Sequence, residues 1–475
     1  MAFTDRLHNR GSISTGYDID NSMALDYTRN MWIRTANAYT SVTATSATTG
    51  TFSYWFKQGR ISGLVMRHGG FGNSARYNTW GMGSSGPDEF AMYLSADSSA
   101  STNPTSTRYF RDNTGWRHVV VRFDTTNGTA ADRLRVYVNG EQIAWNTAPS
   151  YTQNGVVTAL ETGSFHGWGE GYGYPYSSNP PSKLDGYLAE IYFIDGQSLA
   201  PTEFAETNAD GQWVPIEYDG TFGNRGYHLD FEDSTSSSTT GNDVSGNGNH
   251  FTNVGANHGP TYAIATDTPT NNFCNLDTLS GFIQSDHNAF TGHGLLMQGG
   301  ANAYNACIGT IGIKPVNSSV KWYWECRGTA NAAGSGNPME GSWGLQKESR
   351  MLDTNPLHNV TYNDGLVRYL SAHTSGNTYV LGVLFDCTTS NPNLTLYANG
   401  SSVYTVTSGI DENETFYPYF SAYNGEMTAN FGGAPLQEFG STNGYTDANG
   451  YGDFVYSVPS GAYALCTKNI GQYGA

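Results

Sequence analysis

Charged side chains are scarce in this sequence. Asp, Glu, Lys and Arg together supply 13% of its 475 residues, about half the usual share for a globular protein. The surface must therefore be covered largely by Asn, Ser, Thr, Gly and the 32 tyrosines, a skin that recognises partners by uncharged hydrogen bonds and ring contacts. Basic residues are the scarcest. The 23 Lys and Arg stand against 41 Asp and Glu, for a formal charge of −18, which excludes nucleic acid and anionic membrane as expected partners because both require a basic footprint. Arg108, Arg111, Arg117 and Arg122 stand singly in β-patterned sequence and form no run.

Other absences narrow the class further. The five cysteines (Cys274, Cys307, Cys326, Cys387, Cys466) are odd in number and lack C-x-x-C spacing, so neither a disulfide framework nor a zinc site is implied. No apolar run reaches the length of a membrane span. Residues 1–12 lack the apolar core of a secretory signal, and the expectation is a soluble chain made in a reducing cytosol. Heptads, collagen triplets and β-helix repeats are missing, which points to a globular head and not a fibre shaft.

What the sequence does contain is a punctuated β pattern. Leu134–Trp145 reads Leu-Arg-Val-Tyr-Val-Asn-Gly-Glu-Gln-Ile-Ala-Trp, and Asn139-Gly140 is the preferred loop of a type I′ hairpin because both central residues take positive φ. The pattern predicts Val136 opposite Ile143 and Leu134 opposite Trp145, each apolar pair adding about 0.2–1 kcal/mol. The device returns at Leu394–Val406, where Leu396 is expected opposite Val403 across Asn399-Gly400. Val119–Asp124 precedes the first hairpin and Val380–Asp386 the second; further upstream, Phe52-Ser-Tyr-Trp-Phe56 matches Trp322-Tyr-Trp-Glu-Cys326. Three matched segments in one order predict an all-β chain of two antiparallel β-sandwiches of related topology in tandem, joined by a Ser/Thr/Gly-rich linker.

The expected divisions are an N-terminal arm at 1–22, a first sandwich at 23–215, a linker at 216–270, a second sandwich at 271–440 and a C-terminal extension at 441–475. Strands are expected at Thr51–Lys57, Gly63–Arg67, Phe90–Ser95, Arg117–Phe123, Leu134–Val138 and Tyr187–Ile194 in the first sandwich. The second should hold Ile308–Ile313, Lys321–Arg327, Tyr379–Phe385 and Leu394–Tyr397, with Asp453–Val458 and Tyr463–Thr467 closing or extending it. Pro201–Glu206 suggests one helical turn, and His228–Phe231 a strand supplied by the linker.

Several phrases resemble known families. Gly115-Trp-Arg-His-Val-Val, Leu134–Trp145 and Leu184–Leu199 resemble a laminin-G/concanavalin-type jelly-roll domain. Thr310-Ile-Gly-Ile followed by Lys321-Trp-Tyr-Trp-Glu325 is similar to the opening of a SPRY domain. These resemblances imply that both tandem sandwiches are concanavalin-like, of jelly-roll type. Asp185–Gly196 with Phe222-Gly-Asn-Arg-Gly-Tyr227, Asp267-Thr-Pro-Thr-Asn-Asn-Phe273 and Ala462-Tyr-Ala-Leu-Cys466 resemble virion proteins of tailed bacteriophages. The resemblance implies a structural protein of the particle, made in the host cytoplasm and located in the virion, with other virion proteins as partners and a homo-oligomeric, trimer-type assembly.

Two candidate sites follow. Ser164–Ser182 interleaves Trp168, Tyr172, Tyr174 and Tyr176 with glycines beside Glu170. Aromatic platforms next to a carboxyl and backbone donors suit the C–H faces and hydroxyls of a sugar; the same rings would equally pack against a neighbouring subunit. Calcium, which laminin-G and concanavalin relatives often hold, would suit the oxygen-rich loop of Asp243, Asn247 and Asn249; no other cofactor is implied.

Catalysis is not expected. The paired acids of the laminarinase-type branch, Glu-x-Asp-x-x-Glu, are missing. Asp185 and Glu190 are five apart and so fall on opposite strand faces, while Asp88-Glu89 and Glu232-Asp233 are adjacent pairs. No Gly-x-Ser-x-Gly elbow, His-Glu-x-x-His or phosphate loop is present, and His118 falls inside a strand. The reading is a non-enzymatic tail-fibre or appendage protein binding host-surface glycan or receptor. Its alternatives are a capsid or tail decoration protein making only virion contacts, and a glycan depolymerase.

Overall fold

The computed structural model describes residues 16–29, 31–60, 66–73, 76–83, 88–97, 100–149, 151–170, 183–233, 239–254, 263–278, 290–299, 304–330, 339–350, 367–373, 378–423, 425–442 and 444–475. The chain divides into two compact units, one holding Ser14–Ile264 with Thr268–Thr270, the other Ala265–Asp267 and Asn271–Ala475. Each is an antiparallel β-sandwich.

In the N-terminal unit one sheet runs in the order Glu141–Gln142, Leu134–Val138, Arg117–Asp124, Thr49–Gln58, Gly186–Asp195, Ser22–Leu25, with Tyr227–Leu229 also on Gly186–Asp195. The facing sheet runs Phe251–Val254, Trp32–Thr35, Phe165–Trp168, Met66–Gly72, Tyr77–Met82, Glu89–Asp97, Ala100–Thr102, with Thr105–Tyr109 also on Glu89–Asp97. Strand alternation sends Phe52, Tyr54, Phe56, Val119, Val121 and Phe123 inward from the first sheet to meet Phe71, Trp80, Met92 and Trp168 of the second. Phe52 stacks on Phe193 with ring centres 4.4 Å apart and leans on Phe71 at 4.5 Å.

The C-terminal unit repeats the arrangement. Its larger sheet contains, in order, Ser401–Val406, Asn393–Ala398, Thr378–Asp386 and Lys321–Ala330, the sequence of hairpin, preceding strand and central strand seen in the first unit. Trp322, Trp324, Cys326, Leu381, Val383 and Phe385 point into the core, so the three matched segments occupy corresponding places. The smaller sheet is Tyr304–Ile308, Phe416–Tyr423, Met339–Lys347, Val367–His373.

Both Asn-Gly turns have the expected backbone, φ being 51° and 78° at Asn139 and Gly140 and 48° and 77° at Asn399 and Gly400. Two expected pairs do not form. After Ile143 the chain leaves the ladder, and Trp145 bridges Ser106 of the other sheet in place of Leu134. In the second hairpin a bulge past Tyr397 sets Leu396 opposite Tyr404 and leaves Val403 exposed, because one inserted residue reverses the facing of all that follows.

Of the linker expected at 216–270, the described residues 216–233 and 239–254 belong to the N-terminal sandwich. Tyr227–Leu229 and Phe251–Val254 pair within the two sheets of the N-terminal unit, and Tyr227, Leu229, Phe231 and Phe251 join its core. The small polar residues of 234–241 hide this role from composition; residues 234–238 lie outside the described ones. Arg225 locks the segment in place, its guanidinium donating to the carbonyls of Val42, Leu160, Glu161 and Tyr39. At the other end, Asp453–Val458 is not a strand; Ala462–Ala464 joins Lys321–Ala330 in parallel, and Thr467–Tyr473 is helical. The strand expected at Ile308–Ile313 lies earlier, at Tyr304–Ile308.

Candidate saccharide-binding face

Trp168 does not present a platform. Phe165 to Trp168 alternate out and in, and the indole lies in the core with no exposed surface. Its Nε1–H donates to Tyr227 Oη at 3.0 Å. Tyr227 Oη stands 3.3 Å from His166 Nδ1, while His166 Nε2 lies 2.9 Å from the Ala159 carbonyl. A carbonyl only accepts, so Nε2 carries the ring proton and Nδ1 receives the tyrosyl hydrogen. Burial pulls His166 down to about 3, and the whole relay is neutral. Tyr172, Tyr174 and Tyr176 lie outside the described residues.

Glu170 is different. It follows Gly169, whose φ of +84° turns the chain out of the strand, and it bridges back to Lys183. The carboxyl group settles over Gly167, Oε1 lying 2.7 Å from where a Cβ on that glycine would stand. The side chain is fully buried and neither carboxyl oxygen has a hydrogen-bond partner. An unpartnered buried polar group costs about 1–3 kcal/mol. Burial pushes Glu170 up to about 8 against the pull of Arg34, so at neutral pH it is chiefly a neutral acid that can donate and accept.

The surroundings of that carboxyl form a row across the outer face of the second sheet. The register joins Thr252, Arg34, Gly167, Gly70, Thr79 and Tyr93 side by side. Their chain neighbours Ile33, Phe71, Trp80, Met92 and Trp168 fill the core, so the row faces away from it. Two flanking rows are Phe165–Gly72–Tyr77 and Arg67–Gly81–Ala91. Four outward positions are thus glycine, each weakening a strand interior by about 0.5–1 kcal/mol relative to alanine. At Gly72 and Gly81 the group that approaches closely is the backbone of the neighbouring strand, at Arg76 and Tyr77 and at Met66 and Arg67, whereas at Gly167 it is the Glu170 carboxyl. Gly167, Gly70 and Thr79 are buried, Arg34 and Tyr93 half-buried and Thr252 exposed, so the row is covered at its middle and meets solvent towards its ends. Tyr77 and Tyr93 stack over one end, centres 4.8 Å apart and planes 13° from parallel.

Asp243, Asn247 and Asn249 are brought together, but as a hydrogen-bonded knot. The Asp243 carboxylate accepts from the amides of His228, Ser245 and Asn249. Asn247 and Asn249 turn their Nδ2 donors onto the carbonyls of Gly223, Asn224 and Gly226. A hard cation needs those oxygens for itself, so the arrangement does not fit calcium, and among the described residues no group of three or more His, Cys, Asp or Glu could hold a metal.

Two further polar clusters lay hidden in the sequence. His118 Nε2 is 2.7 Å from Ser53 Oγ, and Trp213 Nε1–H donates to His118 Nδ1 at 3.1 Å. Because Nδ1 accepts, Nε2 is the protonated nitrogen and donates to the serine. A base that activates the hydroxyl needs the reverse tautomer, so Ser53 is not primed as a nucleophile. In the C-terminal unit Glu325 accepts from Tyr323 Oη, Asn430 Nδ2 and the amides of Val455 and Tyr456. Such a fully satisfied acid braces the fold.

No protein-family model matches the sequence, and no curated protein matches it. Solved structures share its architecture at low identity. Domains LG4-5 of the mouse laminin alpha1 chain align at 9% identity over 96% of this chain and 90% of theirs, with a TM-score of 0.28. A native heptameric SAP-like pentraxin from Limulus polyphemus aligns at 14% over 39% of this chain and 80% of its own, with a TM-score of 0.29. The CBM40 of the Ruminococcus gnavus IT-sialidase aligns at 15% over 33% and 81%, with a TM-score of 0.25. These are likenesses of β-sandwich architecture, and nothing about activity rests on them.

Proposed function

We propose that the chain is a non-enzymatic, saccharide-binding structural protein of a tailed-phage particle, and that the glycine-rich row beside Glu170 in its N-terminal unit is the ligand face. The observation that carries this reading is Glu170, a buried carboxyl with two oxygens lacking a hydrogen-bond partner, set over Gly167 and beside Gly70. A donor–acceptor group, a guanidinium at Arg34 and a stacked tyrosine pair are chemistry that suits a sugar. The phage assignment rests on the resemblance of the joining phrases, and the sparse surface charge suits adhesion to uncharged polymers. A homo-oligomer would multiply a weak single contact.

The test is calorimetric titration of the full chain with dextran, mannan, galactan and alginate, alongside adsorption of phage to cells in the presence of soluble protein. Saccharide binding that the Glu170→Ala variant loses, together with blocked adsorption, supports the reading. Binding to virion components alone would assign the chain to decoration of the capsid or tail. Release of reducing sugar would make it a depolymerase.

A further inference from the structure

The two sandwiches treat one sheet edge in opposite ways. In the N-terminal unit the hairpin that ends the first sheet stops after Glu141–Gln142, a strand of two residues. Glu141 is exposed and charged there, and past Ile143 the chain crosses to the other sheet. Shortness and charge are ordinary guards of an open edge. The corresponding strand of the C-terminal unit, Ser401–Val406, has six residues and pairs only with Asn393–Ala398 among the described strands. Both of those guards are missing. Every side chain from Cys387 to Ile410 is uncharged. Ser401, Ser402, Val403 and Thr405 are exposed, Val403 by 46%. Such an edge is a template for another strand.

We propose that the Ser401–Val406 edge pairs antiparallel with the same edge of a second copy, joining two C-terminal sheets across a two-fold axis. The contact is independent of the saccharide reading, which concerns the other unit. Charge favours a copy at this place and nowhere acidic. Each chain carries a formal charge of −18, so two copies repel where acidic surfaces come within a screening length of about 8–10 Å; the uncharged hairpin is where they can touch. An antiparallel pair about a two-fold also presents the same residues from both sides, so the strand complements itself. Tyr404 and Val406 stand opposite Leu396 and Leu394 and pack on the core, yet remain half-buried where the sheet ends. Centred on Tyr404, the pair sets that ring against its own copy and Val403 against Thr405 of the copy, and covers both. The bulge at Val403 is a guard of another kind. It ends before Tyr404, after which the ladder runs regularly to Val406, and the side chain it turns outward is apolar.

The experiment is sedimentation equilibrium of the full chain from about 1 to 100 μM, where a dimer of ordinary affinity is resolved. The unaltered chain should dimerise. Val403→Lys and Val403→Glu each set like charges beside one another across the axis and should weaken the dimer at least about tenfold. An equimolar mixture of the two should restore it, with one chain of each kind. Val244→Lys, at a valine 50% exposed on the N-terminal unit, should dimerise like the unaltered chain. Thermal melts confirm that the variants fold. A chain that stays monomeric throughout, or an assembly that Val403→Lys leaves intact, would overturn the proposal. Loss without restoration in the mixture would overturn the two-fold pairing as well.

Discussion

Glu190 and His228 meet through Oε2 and Nε2 at 3.0 Å. The same carboxylate oxygen receives the hydroxyls of Tyr17 at 2.7 Å and Tyr192 at 2.5 Å. Glu190 stands at a bulge between Ala189 and Tyr192 with φ of +48°, a strained conformation that a four-group junction holds in place. Burial works against both charges. The Glu190 carboxylate nevertheless holds His228 above its ordinary value, and the histidine and two phenols hold Glu190 below its own.

The pH dependence follows from those directions. The contribution of His228 is complete below its unfolded value of 6.5 and is lost as pH rises through the raised folded value. That of Glu190 is complete above 4.5 and is lost as pH falls through its lowered folded value. Asp230 and Glu232, both pushed up chiefly by burial, take stability away as pH rises from their unfolded values of 3.8 and 4.5 through their raised folded values. The Glu190–His228 pair should therefore contribute most between about pH 4.5 and 6.5. His68, His118 and His166, pulled down to about 3 by burial, instead cost the unit stability as pH falls below 6.5. His228→Ala should cost about 2 kcal/mol at pH 6 and less at pH 9, as read from urea denaturation. A penalty equal at both pH values would refute the pairing.

Gly167→Ala tests the seat of the Glu170 carboxyl. The added methyl must displace the Glu170 carboxyl, whereas the opposite face of the strand is unchanged. Saccharide affinity should fall at least about tenfold with a loss of stability near 1 kcal/mol. An unchanged affinity would show that the carboxyl can move without consequence.

Tyr227→Phe should do the reverse. It leaves the Trp168 indole N–H and His166 Nδ1 without their shared partner, at a cost of about 1–3 kcal/mol, and should leave saccharide binding alone. Melting curves and titration on one sample separate the two effects.

The hairpin turns give a matched pair of probes. At Gly140 a Cβ would lie 2.9 Å from Trp213 Cη2, and at Gly400 2.6 Å from Tyr456 Cδ1. Alanine at either, with φ positive, should destabilise its own unit by more than about 1 kcal/mol. Removing calcium with a chelator, by contrast, should leave the melting temperature of the N-terminal unit unmoved, because amide donors already occupy the loop oxygens.

The sandwich class was legible because it depends on period-two alternation and Asn-Gly turns, which a few residues encode. Leu134–Val138 even keeps its expected bounds. Position within a ladder was less legible: Val403 and Trp145 are placed by a bulge and a strand exchange that leave no compositional trace. The glycine-rich row was legible only in part. Glu170 stood out beside aromatics, but the row that matters is assembled from six strands, and no local window contains it. Trp168 misled because a large ring beside glycines reads as exposed until its strand parity is known.

The pairing order also governs how the chain matures on the ribosome. Ser22–Leu25 waits for Gly186–Asp195, and Trp32–Thr35 waits for Phe251–Val254. Contacts between such distant segments form slowly. The earliest strands of the N-terminal unit thus complete their pairing late in that unit's synthesis, and a chain cut short before position 251 would leave one edge of Trp32–Thr35 unpaired and prone to aggregation.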